Sequence, residues 1–262
     1  MQPDDLFDLR TYLDHEVLSA YSTFQEDALN WWCNPKNETS DMGLDHRTVR
    51  AMSTGVQGDR GPVALYEAWA AVQFARIADD AQLVTSVSTR EGFEAWHREL
   101  TESLVAHWHA QVTANNEMLK HHEGDEFFPE NPNLNIAHRY KMVDLFVRYL
   151  RVKSDAHPEL SRHCYEFGHI PLDRKSLAVI SAAFSGIGVG RNFSMGNIIS
   201  ETMYRTYQRL ALAICEEAGG TPLLLDVFSW ESPFAQKLYE KKPAAPTRKL
   251  LKRAKKKQKQ KA

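Results

Sequence analysis

Three things are scarce in this chain: cysteine, strand-forming runs and long apolar stretches. Only Cys33, Cys164 and Cys215 occur in 262 residues, far apart and without a CxxC pair. That pattern excludes a disulfide framework and a thiolate-rich zinc site, and it fits a reducing compartment. No run approaches the ~18 apolar residues of a membrane span. The acidic opening MQPDDLFDLR lacks the apolar core of a secretory signal. These absences lead us to expect a soluble cytoplasmic protein, nucleoid-associated if bacterial, with no membrane partner.

A fourth absence is local. From Lys241 to Ala262 there is no acid at all, while eleven Lys or Arg are present. The preceding 240 residues hold 21 basic and 34 acidic side chains, a net of −13, so a near-neutral total conceals an acidic body and a tail of +11. Blocks of like charge repel themselves, stay unfolded and attract polyanions. The tail is therefore expected to be disordered and to grip nucleic acid, DNA favoured, through Arg248, Lys249, Lys252, Arg253, Lys255, Lys256 and Lys257. Its one apolar pair, Leu250-Leu251, is too little for a membrane anchor. Self-association, with the basic tail lying on an acidic body, obeys the same electrostatics.

What the sequence does contain is helical periodicity. Phe93, Trp96, Leu100, Leu104 and Trp108 recur at three- and four-residue steps, as do Tyr66, Ala70, Phe74 and Ile77 behind Pro62. Ile136, Tyr140, Val143, Val147 and Leu150 form a third stripe, and Ile199, Met203, Leu210 and Ile214 a fourth. Residues 5–32 read as one long or two short helices. Leu223 to Phe228 is the one strand candidate. Cys33 to Gly61, His121 to Asn135 and the glycine-rich Ser185 to Asn197 read as irregular. The prediction is an all-α fold: a single helical domain over residues 1–240, followed by a disordered basic tail over 241–262.

Several groups carry potential chemistry. His107 and His109 are two apart on one helix and face opposite ways, so they do not converge on a metal. His121, His122 and the acids after them have suitable atoms but no helical His-x3-His step. No cofactor and no metal ligand set is expected, and a metal-dependent hydrolase at these two histidines ranks third. Gly186, Gly188 and Gly190 lack the strand of a dinucleotide fingerprint and the Gly-Lys-Ser/Thr of a P-loop. They read as a connector, whose amides and Arg191 could meet a phosphate. On the helix that carries the third stripe, Lys141, Asp144 and Arg148 fall at i, i+3 and i+7, opposite the apolar residues. Downstream, Pro171-Leu172-Asp173 precedes a new helix, with Asp173 placed as its N-cap.

A lysine at the start of an apolar helix, followed by a Pro-x-Asp cap on another, resembles the helix-hairpin-helix DNA glycosylases of the 8-oxoguanine glycosylase fold over about residues 135–240. The resemblance implies that Lys141, in Tyr140-Lys141-Met142-Val143-Asp144, attacks a sugar C1′. It implies that Asp173, in Pro171-Leu172-Asp173-Arg174, steadies the charge that grows as the base departs. The family's hairpin glycines, whose amides hold a DNA phosphate, are replaced here by Ala137 and Arg139. A basic patch of Arg139, Lys141 and Arg148 would then add to the attraction of the tail. The leading expectation is a DNA-binding protein that excises a base; the alternative is a non-enzymatic nucleic-acid-binding or adaptor protein acting through its tail.

Overall fold

A computed structural model of the chain describes residues 9–34, 43–44, 61–80, 82–119, 133–153, 158–187 and 194–240. Among these residues there are ten α-helices and no strand. They are α1 (His15–Cys33), α2 (Pro62–Asp79), α3 (Leu83–Ser86), α4 (Arg90–Leu119), α5 (Ile136–Lys153), α6 (Pro158–Phe167), α7 (Arg174–Ala183), α8 (Glu201–Ala218), α9 (Pro222–Glu231) and α10 (Pro233–Glu240). A short 3-10 turn, Leu9–Tyr12, precedes α1. The all-α expectation holds, and no described helix is long and apolar enough to cross a membrane. The basic segment 241–262 lies outside the described residues, as do His121, His122 and Arg191.

Local chemistry sets most of the helix starts. The Asp14 carboxylate accepts from Glu16 N at 2.9 Å and Val17 N at 3.2 Å, satisfying amides that α1 leaves open. Asp173 does the same for α7, accepting from Lys175 N and Ser176 N, while the Ser176 hydroxyl accepts from Asp173 N. This is the reciprocal capping box, and it agrees with the cap expected at Asp173. Ser200 caps α8, which ends at Gly219 in the left-handed region with φ +70°, where glycine alone carries no Cβ penalty.

Three expectations fail instructively. Leu223 to Phe228 is helix α9, not a strand, because Thr221 caps its start and Pro222 occupies its first turn. Its Leu-Leu-Leu-Asp-Val-Phe run is buried throughout, which removes any alternation that would separate a strand from a core helix. The fourth stripe begins too early: Ile199 precedes the Ser200 cap and is 76 % exposed. In α2 the inward face is Tyr66, Trp69, Ala70, Gln73 and Ile77, and Phe74 points outward.

The interior divides into two hydrophobic clusters that share one helix. The first joins α1, α7, α8, α9 and α10, with Ala137 and Tyr140 at the start of α5. The second joins α2, α4 and α6 to the rest of α5 through Met142, Val143, Leu145, Phe146, Val147 and Leu150. From Ile136 to Leu150 the helix has no fully exposed residue, so α5 is enclosed on every side. A helix enclosed in this way must bury whatever polar residues it carries. Asp144 is 0 % exposed, and the Lys141 and Arg148 side chains are 12 % and 16 % exposed. The charged row expected opposite the apolar stripe is thus internal, a polar seam between the two clusters.

Candidate functional site

The seam contains three polar contacts, about one per turn of α5. At its start Lys141 Nζ lies 3.9 Å from Asp173 Oδ2, each side chain 12 % exposed. Asp173 also caps α7, so its carboxylate is fixed on both sides. At the other end Arg148 Nη1 donates to Asp226 Oδ2 at 2.6 Å. Burial pushes the Asp226 carboxyl up to about 6; Arg148 opposes the shift and Asp173 adds to it. Asp226 Oδ1 is buried with no hydrogen-bond partner.

Between these pairs lies a denser cluster around Asp144. His97, from α4, places Nε2 2.9 Å from Asp144 Oδ1, within hydrogen-bond distance. The Tyr204 hydroxyl, from α8, donates to the same oxygen at 2.8 Å. His169, in the turn before α7, places Nδ1 2.8 Å from the Tyr204 hydroxyl and 3.9 Å from Asp144 Oδ1. Its other ring nitrogen, Nε2, meets Glu94 Oε1 of α4 at 2.7 Å. The His97 and His169 rings lie 4.3 Å apart, and Tyr140 stacks on Tyr204 at 3.9 Å with planes 9° apart. Asp144 Oδ2 has no hydrogen-bond partner.

The electrostatics follow from this enclosure. Burial pushes the Asp144 carboxyl up to about 7, against the pull of His169, the Tyr204 hydrogen bond and Lys141. Burial also lowers His97 to about 4, with Glu94 opposing, so its imidazole is neutral at pH 7. Tyr204 is raised well above its ordinary value by burial and by Asp144, and stays a phenol. Glu94 is the exception. Burial would raise it, but the His169 hydrogen bond, the fields of His169 and His97, and Arg205 together hold it at about 2. Glu94 is 31 % exposed and Arg205, 3.9 Å away, is 41 % exposed, so these two stand where the cluster meets solvent.

The residues singled out in sequence fall into three groups. Lys141 and Asp173 are brought together. Arg139 and Arg148 do not form an open basic patch with Lys141: Arg139 Nη2 donates to Leu134 O at 3.0 Å and Arg148 is committed to Asp226. The tail residues Arg248, Lys249, Lys252, Arg253, Lys255, Lys256 and Lys257, with Arg191, lie outside the described residues. His107 Nε2 contacts Leu65 O at 3.1 Å while Trp108 is buried and His109 exposed. The two histidines do diverge.

Sequence reasoning missed Glu94, His97, His169 and Tyr204 because more than a hundred positions separate them. One signal was present. Asp144 is a lone acid in Met142-Val143-Asp144-Leu145-Phe146-Val147, and such a residue has a polar partner when the run is buried.

A separate groove of about 340 Å³, lined among others by Gln73, Arg76, Asp80, Trp96, Glu99 and Ser103, includes none of the seam residues. Comparison of the chain with protein-family models, with curated proteins and with solved structures finds no match, so its own residues carry the functional reading.

Proposed function

We propose that this is a nucleic-acid-binding protein, DNA favoured, held to its partner mainly by the basic segment Lys241–Ala262. The observation that carries this reading is the separation of charge: eleven basic and no acidic side chains in 22 residues, attached to a body of net −13. An acidic body repels a phosphate backbone, so attraction must come from the segment that lacks acids. Lys and Arg at phosphates release condensed counterions, which makes the affinity steeply salt-dependent. With 6–10 contacts, binding to duplex DNA falls roughly 10³–10⁵-fold between 50 and 200 mM salt. Removing residues 241–262 abolishes most of that slope. An unchanged slope after truncation would defeat the reading. A tail that binds its own acidic body instead would show as salt-sensitive self-association without DNA affinity.

The finer proposal is base excision by Lys141 with Asp173. The support is their proximity, 3.9 Å between Nζ and Oδ2, on two helices that the sequence separates by 32 positions. In this chemistry the unprotonated Lys141 amine bonds to the sugar C1′ as the glycosidic bond breaks. The departing base takes a proton, and the opened sugar remains as an imine on Nζ. Asp173 would stabilise the positive charge that develops on the sugar. Borohydride reduces such an imine to a stable adduct on duplexes carrying damaged bases. A covalent band lost in Lys141→Gln supports excision, whereas its absence across several lesions leaves the non-enzymatic binding protein.

A further inference from the structure

We propose that His97, Asp144 and His169 form a binding site for a single zinc ion, or a like borderline divalent metal, at the centre of the seam. The inference is independent of the nucleic-acid reading, and it departs from the metal-free expectation of the sequence.

Three observations converge. The first is placement: one ligand atom from each of these buried residues lies within 4.8 Å of the other two. Tetrahedral zinc with bonds of ~2.0–2.2 Å to nitrogen and oxygen requires ligand separations of roughly 3.3 Å. The 2.9 Å from His97 Nε2 to Asp144 Oδ1 and 3.9 Å from His169 Nδ1 to the same oxygen lie on either side of that value. Small rotamer adjustments reach it.

The second is an unpartnered oxygen at the centre of the cluster. His169 turns Nε2 to Glu94 Oε1 at 2.7 Å, which leaves Nδ1 as the ring nitrogen that faces the cluster. The Tyr204 hydroxyl has one hydrogen but two neighbours at 2.8 Å, His169 Nδ1 and Asp144 Oδ1. Asp144 Oδ2, on a side chain 0 % exposed, has no partner. A cation held there gives the Asp144 carboxylate the partner that the described residues do not supply.

The third is the outer shell. A metal-bound histidine generally gives its second ring N–H to a carboxylate, which fixes the tautomer and strengthens the ligand. Glu94 stands in that relation to His169 at 2.7 Å. Two imidazoles and a carboxylate suit zinc rather than magnesium or calcium, which prefer all-oxygen shells. Tyr204 or a water fills the fourth position, and Glu94 and Arg205 mark the way in from solvent. On loading, His97 binds through Nε2 with its ring proton on Nδ1, and any proton on Asp144 passes to solvent.

The test is metal binding by the full-length chain. Equilibrium dialysis against Zn²⁺ followed by elemental analysis should give one tightly held equivalent. Cobalt in its place should give the intense visible bands of a tetrahedral site. His169→Asn and Asp144→Asn should lose that equivalent, and Glu94→Gln should weaken it about 10–100-fold. His121→Ala with His122→Ala should leave it intact. No bound zinc in the wild-type chain, or an equivalent that survives both ligand variants, overturns the proposal. So does an equivalent lost only with His121 and His122. Should the ligand variants fail to fold, zinc-edge absorption of the chain carrying His121→Ala and His122→Ala decides: a first shell containing two imidazoles upholds the site, and one without them refutes it.

Discussion

Asp144 and Asp226 are both buried carboxylates on the seam, each inside an otherwise apolar run, yet they are compensated in opposite ways. Asp226 faces Arg148, a permanent cation at 2.6 Å, and makes an ion pair whose other carboxylate oxygen goes unpartnered. Asp144 faces two imidazoles and a phenol, and the pair it makes with His97 is uncharged at mid-range pH. Compensation by a fixed charge binds two parts of the fold together. Compensation by titratable groups leaves a centre whose proton count can change, which suits a ligand site better than a structural tie.

Breaking the fixed-charge end should have the largest effect. Asp226→Ala leaves the Arg148 guanidinium largely enclosed without its counter-charge, and chemical denaturation should show a loss of about 3–5 kcal/mol. Replacing both partners, as Arg148→Met with Asp226→Leu, should restore most of it, because no buried charge remains. A double variant as unstable as the single one would show that the pair does more than neutralise itself.

The pH dependence sharpens the contrast. Asp226 keeps its proton in the folded state up to about 6 while the unfolded chain loses it near 3.8. Its contribution is therefore fully present below pH 3.8 and lost as pH rises through 6. Asp144, raised to about 7, acts in the same direction. His97, lowered to about 4, acts oppositely: the unfolded ring holds a proton up to about 6.5, so stability is lost as pH falls from there toward 4. Between pH 4 and 6 these two nearly cancel, Glu94, held at about 2, gains stability with rising pH, and the larger opposite slope of Asp226 leaves a net decline of about 1 kcal/mol. Asp226→Asn should remove that decline, as read from denaturation midpoints at successive pH values.

Asparagine at the other carboxylate should cost less. Asp144→Asn keeps the oxygen that meets His97 and accepts from Tyr204, and places its amide where Oδ2 already lacks a partner. A loss of about 1–2 kcal/mol is expected, below that of Asp226→Ala. At the solvent edge, Arg205→Ala removes an exposed pairing with Glu94 and Glu201 and should shift stability by less than about 1 kcal/mol.

The helices were legible in sequence wherever one face was apolar and the other wet, as along Phe93 to Trp108, or where a cap announced the start, as at Asp173. Legibility failed at α5 and α9, the most enclosed helices. Burial on all sides erases the periodic signal, so the row Lys141, Asp144 and Arg148 read as a solvent face and Leu223 to Phe228 as a strand. Half of the site could be reached from sequence, because Lys141 and Asp173 each belong to a local pattern. The other half could not. His97, His169 and Tyr204 come together only through the packing of α4, the turn before α7, and α8 against α5, and no local spacing encodes that.

The sharing of α5 between the two clusters has a further consequence for how the chain comes apart. Neither cluster can open alone without exposing the flank of the helix that belongs to the other and stripping the seam of its partners. The two should therefore melt as one cooperative unit, with a single calorimetric transition. Backbone amides from Met142 to Leu150 should then exchange with deuterium only through global unfolding, and so be among the slowest in the protein.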